Sequence, residues 1–307
     1  MTPPFACREI TRRFGPTVAL DRVTLAVPFR QIVGLVGRNG SGKTTLLRHM
    51  TGFNLPDEGV CRTFGTPTPD LDRPELERIG VVEQGDALIP WMRGRQLLRY
   101  VAAFYPRWDR DLEGVLLAAL ELDPETKVGA LSPGGRQKLA LILAVCHHPD
   151  LLLLDEPLSA LDPMARQAVL GMLLERFSSD AMTIVISSHL LRDIEPVINR
   201  LLCLEQGRVV ADEELDQLRE RHAEWIVSSP EGRLPVTFAE EWILAAEGGG
   251  ARARLQVRDP ELHHGEFARR YAATIESRPL NLEMLFPVLI GRGDGARRDP
   301  ADSGASR

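Results

Sequence analysis

The chain has 307 residues, of which 44% are hydrophobic and 26% are charged, and its formal net charge is -6. This length suits a large domain followed by a small one, and the composition is that of an ordinary globular protein. The acidic balance argues against a surface that binds nucleic acid regardless of sequence. No apolar run approaches the roughly 18 residues of a membrane span, and the N-terminus lacks the apolar segment of a signal peptide. We therefore expect a soluble, cytoplasmic chain.

The four cysteines lie far apart and lack the paired spacing of metal ligands; they are Cys7, Cys61, Cys146 and Cys203. We expect them to be isolated buried thiols in a reducing compartment, and we predict no zinc site.

Short β-like runs separated by turns occupy residues 5–36 and predict an N-terminal antiparallel β layer. The last run leads directly into the loop GRNGSGKTT at 37–45, and a helix-like stretch follows at 46–50. This context of strand, glycine-rich loop and helix predicts a phosphate-binding loop rather than a chance glycine-rich turn.

The loop pattern G-x-x-x-x-G-K-[ST] explains how this segment would bind the phosphates of a nucleotide and a magnesium ion. It places backbone N–H groups around the phosphates, directs the Lys43 ammonium toward the β- and γ-phosphates, and offers the Thr44 hydroxyl to Mg²⁺. Gly37, Gly40 and Gly42 allow the loop to curl tightly around an anion, and the helix N-terminus adds its positive dipole.

Two further strands are predicted at 60–64 and 79–84. The second ends at Gln84, whose side chain could complete a metal shell and sense the γ-phosphate. Helical apolar spacing after this strand predicts an inserted helical subdomain at about 85–148.

Residues 131–138 read LSPGGRQK and open a long helix predicted to run through His148. Ser132 is its expected N-cap, and Pro133 suits the first helical position. The serine hydroxyl, the glycines and the unpaired N–H groups make this helix N-terminus a second anion site.

An apolar strand at 151–154 ends in two adjacent carboxylates, Asp155 and Glu156. In a P-loop protein the first can hold Mg²⁺ through its water shell, and the second can orient or deprotonate the attacking water. Acidic residues also end strands for structural reasons, but the phosphate loop favours the catalytic interpretation. His189 follows another buried strand, 183–187, and strand ends in such a sheet are where ligands bind.

Strands alternate with helices, including a helix at 164–177, which predicts an α/β fold. We predict a P-loop NTPase with a mostly parallel central sheet, an N-terminal antiparallel β layer and the inserted helical subdomain, followed by a small α+β C-terminal domain.

Beyond Gly207 the pattern changes to a helix at 213–222, a β-rich stretch at 225–238 and a glycine break at 248–250. We expect a nucleotide-binding domain at 1–220 and a small C-terminal extension at 221–291. The polar residues 292–307 are predicted to be disordered.

Residues 5 to about 210 resemble the nucleotide-binding subunit of an ABC transporter, because six motifs occur in the family's order. They are the Walker A loop GRNGSGKTT, the Q-loop residue Gln84, the signature LSPGGRQ, the Walker B strand LLLLDEP, the D-loop SALD with Asp162, and the switch histidine His189.

The resemblance implies ATP as ligand, Mg²⁺ as cofactor and ATP hydrolysis as activity. Thr44, Gln84 and Asp155 would bind Mg²⁺, Glu156 would be the general base, and His189 would contact the γ-phosphate. Phe14 matches the position of the family's adenine-stacking aromatic, although simple packing is an alternative for it. The implied ATP-binding residues are Phe14, Gly37, Arg38, Asn39, Gly40, Ser41, Gly42, Lys43, Thr44 and Thr45.

The signature departs from the usual L-S-G-G-Q, with Pro133 for the first glycine and Gly135 for the glutamine. Pro133 removes an N–H that has no intrahelical partner, and Ser132 and Gly134 keep the hydroxyl and amide that matter in the family. The resemblance implies that Ser132, Gly134 and Gly135 contact ATP held by a second subunit, in a homodimer or heterodimer. ATP closes such a dimer, and hydrolysis reopens it and drives separate membrane-spanning subunits.

The apolar-rich loop 86–92, DALIPWM, is the expected docking surface for the membrane partner, with ordinary subdomain packing as the alternative. Residues 280–286 resemble the C-terminal extension of bacterial exporter-type ATPases.

The leading prediction is an ATPase subunit that powers an ABC transporter from the inner face of the membrane. The alternatives are a soluble ABC-type ATPase in assembly or regulation, and a nucleotide-gated binding module with slight hydrolysis. A single cassette, a short insertion and the acidic balance disfavour the first alternative. The presence of Glu156 and His189 disfavours the second.

Overall fold

The computed structural model describes residues 2–85, 88–180, 182–232 and 234–295. The chain divides into two compact units, Met1–Asp212 and Glu213–Arg307. The domain boundary expected after residue 220 therefore falls inside the second unit. The reason is that the helix at Leu215–Glu220 is tied to the strand that follows it, because His222 Nδ1 donates a hydrogen bond to the Leu218 carbonyl oxygen at 2.8 Å.

The first unit is built on a six-stranded sheet. With elements numbered in chain order, its strands in spatial order are β10 (Arg208–Glu214), β9 (Arg200–Glu205), β3 (Ile32–Val36), β8 (Thr183–Ser187), β7 (Leu151–Asp155) and β6 (Ile79–Val82). All neighbours from β9 to β6 pair in parallel. β3, β7 and β8 are buried throughout, which is why their sequences are almost unbroken apolar runs. The predicted mostly parallel sheet is confirmed.

A four-stranded antiparallel sheet forms the predicted N-terminal layer. Its strands in spatial order are β2 (Thr17–Val27), β1 (Phe5–Phe14), β4 (Glu58–Thr63) and β5 (Thr66–Pro67). Phe5, Ile10 and Leu20 are fully buried in a core that also contains Leu35 of β3. The two sheets of this unit therefore share one hydrophobic core.

Helices connect these strands. Those described in the first unit are α1 (Lys43–Met50), α2 (Arg73–Leu76), α3 (Gly94–Ala102), α4 (Arg110–Ala119), α5 (Pro133–Val145), α6 (Pro163–Asp180) and α7 (Leu191–Ile194). The helix expected to reach His148 ends at Val145. His148 has a φ of 54°, outside the right-handed helical region, and Pro149 disfavours helical conformation in the residue before it. Across the described parts of both units, the helices lack the length and hydropathy needed to cross a bilayer.

The second unit contains another four-stranded antiparallel sheet. Its strands in spatial order are β12 (Ile243–Gly249), β13 (Arg252–Arg258), β11 (His222–Ser228) and β14 (Thr274–Pro279). Its helices are α8 (Leu215–Glu220), α9 (Pro260–Arg270) and α10 (Leu282–Gly295). Trp225, Leu255 and Phe267 lie in the core of this unit. The second unit is thus a small α+β domain.

Three expectations about this region need correction. The β-rich stretch ends at Ser228 instead of Phe238, because Pro230, Gly232 and Pro235 interrupt the strand pattern. The glycines at 248–250 form the end of a strand and the turn of the β12–β13 hairpin, where Gly248 and Gly250 adopt positive φ. The expected tail begins inside α10, whose backbone is helical to Gly295, and residues 296–307 lie outside the described residues.

The buried His147 should make the fold sensitive to acid. Its ring stacks on Tyr105 with centroids 4.0 Å apart, and burial lowers its pKa from 6.5 to about 4. Below pH 6.5 the His147 imidazole takes up a proton in the unfolded chain, but in the folded chain it stays neutral until the pH approaches 4. Its contribution to the free energy of unfolding is therefore fully present above pH 6.5 and is lost as the pH drops toward 4.

We expect wild type to lose about 2 kcal/mol more unfolding free energy between pH 7.5 and pH 5 than His147→Phe, which keeps a ring on Tyr105 but cannot titrate. Denaturant unfolding at the two pH values measures both losses. Equal losses in the two proteins would contradict the assignment of this acid sensitivity to His147.

Candidate active site

The phosphate loop joins β3 to α1 through a tight turn. Gly42, the N-cap of α1, has a φ of 107°, and a Cβ at this position would lie 2.5 Å from the Ala19 carbonyl oxygen. Only glycine fits both constraints. The buried Lys43 ammonium donates hydrogen bonds to the carbonyl oxygens of Gly37 and Arg38, at 2.9 and 3.2 Å. The loop therefore holds a cation at the start of a helix, whose free N–H groups and dipole also attract anions.

A cavity of about 590 Å³ opens beside this loop. Its lining comes from β2, the phosphate loop and the ends of β6, β7 and β8: Thr17, Ala19, Asn39, Gly40, Gly42, Lys43, Thr44, Thr45, Gln84, Asp155, Glu156 and His189. The volume is within the range of roughly 300–1,000 Å³ that small-molecule sites occupy. The carboxyl ends of parallel strands meet at one edge of the sheet, so residues far apart in sequence share this cavity.

Both carboxylate oxygens of Asp155 accept hydrogen bonds from hydroxyl groups. Thr44 Oγ1 donates to Oδ2 and Ser187 Oγ donates to Oδ1, each at 2.6 Å, a distance typical of charge-assisted bonds. Because the Thr44 proton is directed at Asp155, the lone pairs of its oxygen are left for a cation. A hydroxyl beside a carboxylate, with the Gln84 amide on the same cavity, is an oxygen donor set that fits Mg²⁺.

Glu156 turns away from the strand direction. Its φ is 50°, in the left-handed region, and its N–H donates to Ser187 Oγ at 2.9 Å. Its side chain is only 8% exposed, and its Oε2 lies 2.6 Å from Nδ1 of His189, whose side chain is 52% exposed. A carboxylate held out of water beside a solvent-accessible imidazole can take up and pass on a proton.

The signature residues do not line this cavity. Ser132 is the N-cap of α5, and its Oγ accepts the Gly135 N–H at 3.0 Å, while Pro133 takes the first helical position. A Cβ on Gly134 would lie 2.7 Å from the Ala160 carbonyl oxygen, so the signature packs directly on the D-loop. Within one chain, the second predicted anion site therefore lies outside the cavity that contains Lys43, while Pro133 lines a neighbouring cavity together with Gln84 and Glu156.

Four of the predicted ATP-binding residues also lie outside the cavity lining. Gly37, Arg38 and Ser41 belong to the loop but shape it from outside the cavity. Phe14 ends β1 with its side chain partly exposed, and the Arg12 guanidinium lies 4.8 Å from its ring centroid. Its ring is available for stacking but is already covered on one side by a cation.

Asp162 caps α6. Its Oδ1 accepts the Ala165 N–H at 2.9 Å, and this hydrogen bond lowers the pKa of the Asp162 carboxyl. In the expected docking loop, Trp91 is 73% exposed and Leu88 is half-buried, whereas Asp86 and Ala87 lie outside the described residues.

Sequence reasoning missed three residues of the site. Thr17 and Ala19 line the cavity from β2, and Ser187 joins the two acidic residues. A signal for Ser187 was present, because a polar residue ends an otherwise apolar buried run from Ile184 to Ile186. Nothing local marks Thr17 or Ala19, since their role depends on how two sheets pack.

Known proteins resemble this chain in sequence and structure. Residues 20–159 match the family model described as ABC transporter. Nod factor export ATP-binding protein I from Burkholderia lata is 32% identical, covering 94% of this chain and 97% of the relative. The protein of the same description from Rhizobium sp. is 30% identical, covering 92% and 95%.

Solved structures agree with these relatives. The ATP-binding subunit of an ABC transporter is 26% identical with a TM-score of 0.64, covering 70% of this chain and 91% of that one. A dimeric ATP-binding cassette in a post-hydrolysis state with ADP and phosphate is also 26% identical, with a TM-score of 0.62, covering 69% and 98%.

The phosphate loop, the acidic end of β7 and the parallel sheet define a P-loop ATPase. The chain belongs to the ABC transporter family, as an ATP-binding subunit. It binds and hydrolyses ATP to power a transporter, and the alternative of a soluble assembly or regulatory factor is not supported.

Proposed function

We propose that this chain powers export, as a peripheral subunit on the inner face of the membrane, through ATP-driven closure of a dimer. The observation that carries the catalytic part is the continuous set of contacts from Thr44 through Asp155 and Ser187 to Glu156 and His189, all at one end of the sheet. The direction of transport is supported by relatives over 92–94% of the chain whose descriptions name export.

In this proposal each residue of the site has a defined role. The Lys43 ammonium exchanges its contacts with the loop carbonyls for the β- and γ-phosphates of ATP. Thr44, Asp155 and Gln84 would hold Mg²⁺, which would neutralise charge on the phosphates. Glu156 accepts the proton of the attacking water, and His189, 2.6 Å away, contacts the γ-phosphate and keeps Glu156 in place.

The second half of each ATP site comes from another subunit. The N-terminus of α5 carries the Ser132 hydroxyl, the Gly134 amide and Gly135, whose N–H donates to Ser132 Oγ, and it lies outside the cavity that contains Lys43. In this proposal it faces the ATP of a partner. A structural neighbour at 26% identity is a dimer. ATP then bridges Lys43 of one subunit and Ser132 of the other, and loss of the γ-phosphate reopens the dimer.

The experiment that tests this function first asks whether a neighbouring gene encodes a multi-span membrane protein, and then expresses the full chain with and without that protein. We expect Mg²⁺-dependent ATPase activity, and sedimentation with membranes only when the partner is present. ATPase activity without any partner-dependent association would contradict the transport role.

The exposed Trp91 and the half-buried Leu88 provide a test of the docking loop. Replacing both by serine removes apolar surface that a partner would bury, and we expect co-purification with the membrane partner to fall at least about tenfold, since two buried apolar side chains contribute roughly 3 kcal/mol or more. Basal ATPase activity should stay near wild type. Val115→Ser, at a residue that is 63% exposed on α4, is the matched control. Unchanged co-purification of the double variant would refute the docking role.

A further inference from the structure

The hydroxyl of Ser187 lies between the two acidic residues of the site. Ser187 is fully buried at the end of β8; its Oγ donates to Asp155 Oδ1 at 2.6 Å and accepts the Glu156 N–H at 2.9 Å. We propose that Ser187 is a positioning residue for ATP hydrolysis: it orients Asp155 toward the bound cation and holds the backbone of Glu156. This inference rests on the proposed roles of Asp155 and Glu156.

The first part of the argument concerns the orientation of Asp155. Thr44 and Ser187 each donate to one carboxylate oxygen, and they do so from different elements, α1 and β8. Two opposed donors fix the plane of the carboxylate, whereas Thr44 alone would leave it free to rotate about its last side-chain bond. Residues that hold a metal's ligands in this way typically change metal affinity by about 10–100-fold when they are removed.

The second part concerns the backbone of Glu156. A φ of 50° is disfavoured for a residue with a Cβ, so the surrounding structure must hold it. The hydrogen bond from the Glu156 N–H to Ser187 Oγ is a contact that does so. This turn lets the Glu156 carboxylate reach His189 at 2.6 Å instead of continuing along the line of β7. Loss of the hydroxyl therefore loosens both acidic residues together.

A hydroxyl at this point is not needed to fill space. The preceding residues Ile184, Val185 and Ile186 are fully buried and apolar, and a buried hydroxyl is costly unless it is bonded. Thr183, at the opposite end of β8, offers a comparison: it is equally buried, and its Oγ1 accepts the Arg30 N–H at 3.0 Å, away from the cavity. Thr183→Val is thus a matched control that removes a buried hydroxyl from the same strand.

The test compares the full-length wild type, Ser187→Ala and Thr183→Val. Binding of a fluorescent ATP analogue is measured first in EDTA and then during Mg²⁺ titration, and ATPase activity is measured over the same Mg²⁺ range. In EDTA the three proteins should bind the analogue equally, because the Lys43 loop is intact. With Mg²⁺, Ser187→Ala should need about tenfold more cation for half-maximal binding and for half-maximal hydrolysis, and Thr183→Val should match wild type.

The proposal is overturned if Ser187→Ala and wild type have the same Mg²⁺ midpoint, or if Thr183→Val shifts it equally. A wild-type protein that binds the analogue without any Mg²⁺ effect would instead contradict the proposed function itself. If circular dichroism shows that Ser187→Ala is unfolded, Ser187→Cys, whose thiol is similar in shape but a weaker donor, replaces it in the same titrations with the same expected direction.

Discussion

Glu156→Gln should bind Mg·ATP like wild type but hydrolyse it at least about a hundredfold more slowly, since a positioned general base contributes roughly 10²–10⁴ in rate. Glutamine keeps the size of the side chain and a hydrogen-bonding oxygen, but it cannot accept the proton of the attacking water. The carboxylate is the buried partner of His189 at 2.6 Å, so the exchange removes the base without opening a cavity.

The retained ATP should trap the dimer. Because the γ-phosphate stays in place, we expect it to continue to bridge Lys43 of one subunit to Ser132 and Gly134 of the other. Size-exclusion chromatography with light scattering should give a dimer with ATP and a monomer with ADP, at protein concentrations high enough to populate the assembly. Glu58→Gln is the control, because Glu58 is an exposed carboxylate on β4 that pairs with Arg13. Wild-type turnover by Glu156→Gln would show that Glu156 is not the base.

Lys43→Ala should weaken ATP binding at least about a hundredfold, which corresponds to roughly 3 kcal/mol. The Lys43 ammonium is buried among the loop carbonyls of Gly37 and Arg38, so it is positioned before the nucleotide arrives. The substitution removes the positive charge that would lie beside the β- and γ-phosphates, and it leaves the carbonyl oxygens of Gly37 and Arg38 without the ammonium that donates to them. Hydrolysis should be lost as a consequence of lost binding.

Titration with a fluorescent nucleotide measures this effect, and thermal unfolding checks that the variant is folded. Lys127→Ala is the matched control, since Lys127 is an exposed lysine outside the cavity. Equal nucleotide affinity for Lys43→Ala and wild type would remove the basis for the phosphate-loop assignment.

The sequence alone was sufficient to predict an element wherever the conformation of a short segment requires particular residue types within that segment. The glycine-rich loop requires glycine for its turn, the strands of the parallel sheet require apolar side chains on both faces, and α5 requires a cap at Ser132. These local signals predicted the P-loop, the central sheet and the placement of Asp155, Glu156 and His189 at strand ends. The shared edge of a parallel sheet then brought them into one cavity, as the topology rule implies.

Local signals were weaker where a turn and a strand share the same residues. The glycines at 248–250 predict a break between elements, but in the structure they end β12 and form the turn of the hairpin that pairs β12 with β13. Likewise, the sequence predicts a domain boundary after residue 220, whereas the contact between Leu218 and His222 ties the helix Leu215–Glu220 to the second unit.

Only the tertiary structure decided how the site is held together. Ser187 lies 31 residues beyond Glu156 in the sequence, and its hydroxyl bonds both acidic residues because β7 and β8 are neighbours in register. Thr17 and Ala19 line the cavity because the antiparallel layer packs against the loop, whereas Phe14 of the same layer lies outside the lining. Residue type and spacing determine which chemistry a segment can perform. The hydrogen bonds between β7 and β8 depend in addition on which strands become neighbours in the sheet and on how they pack, and that is decided by the whole fold.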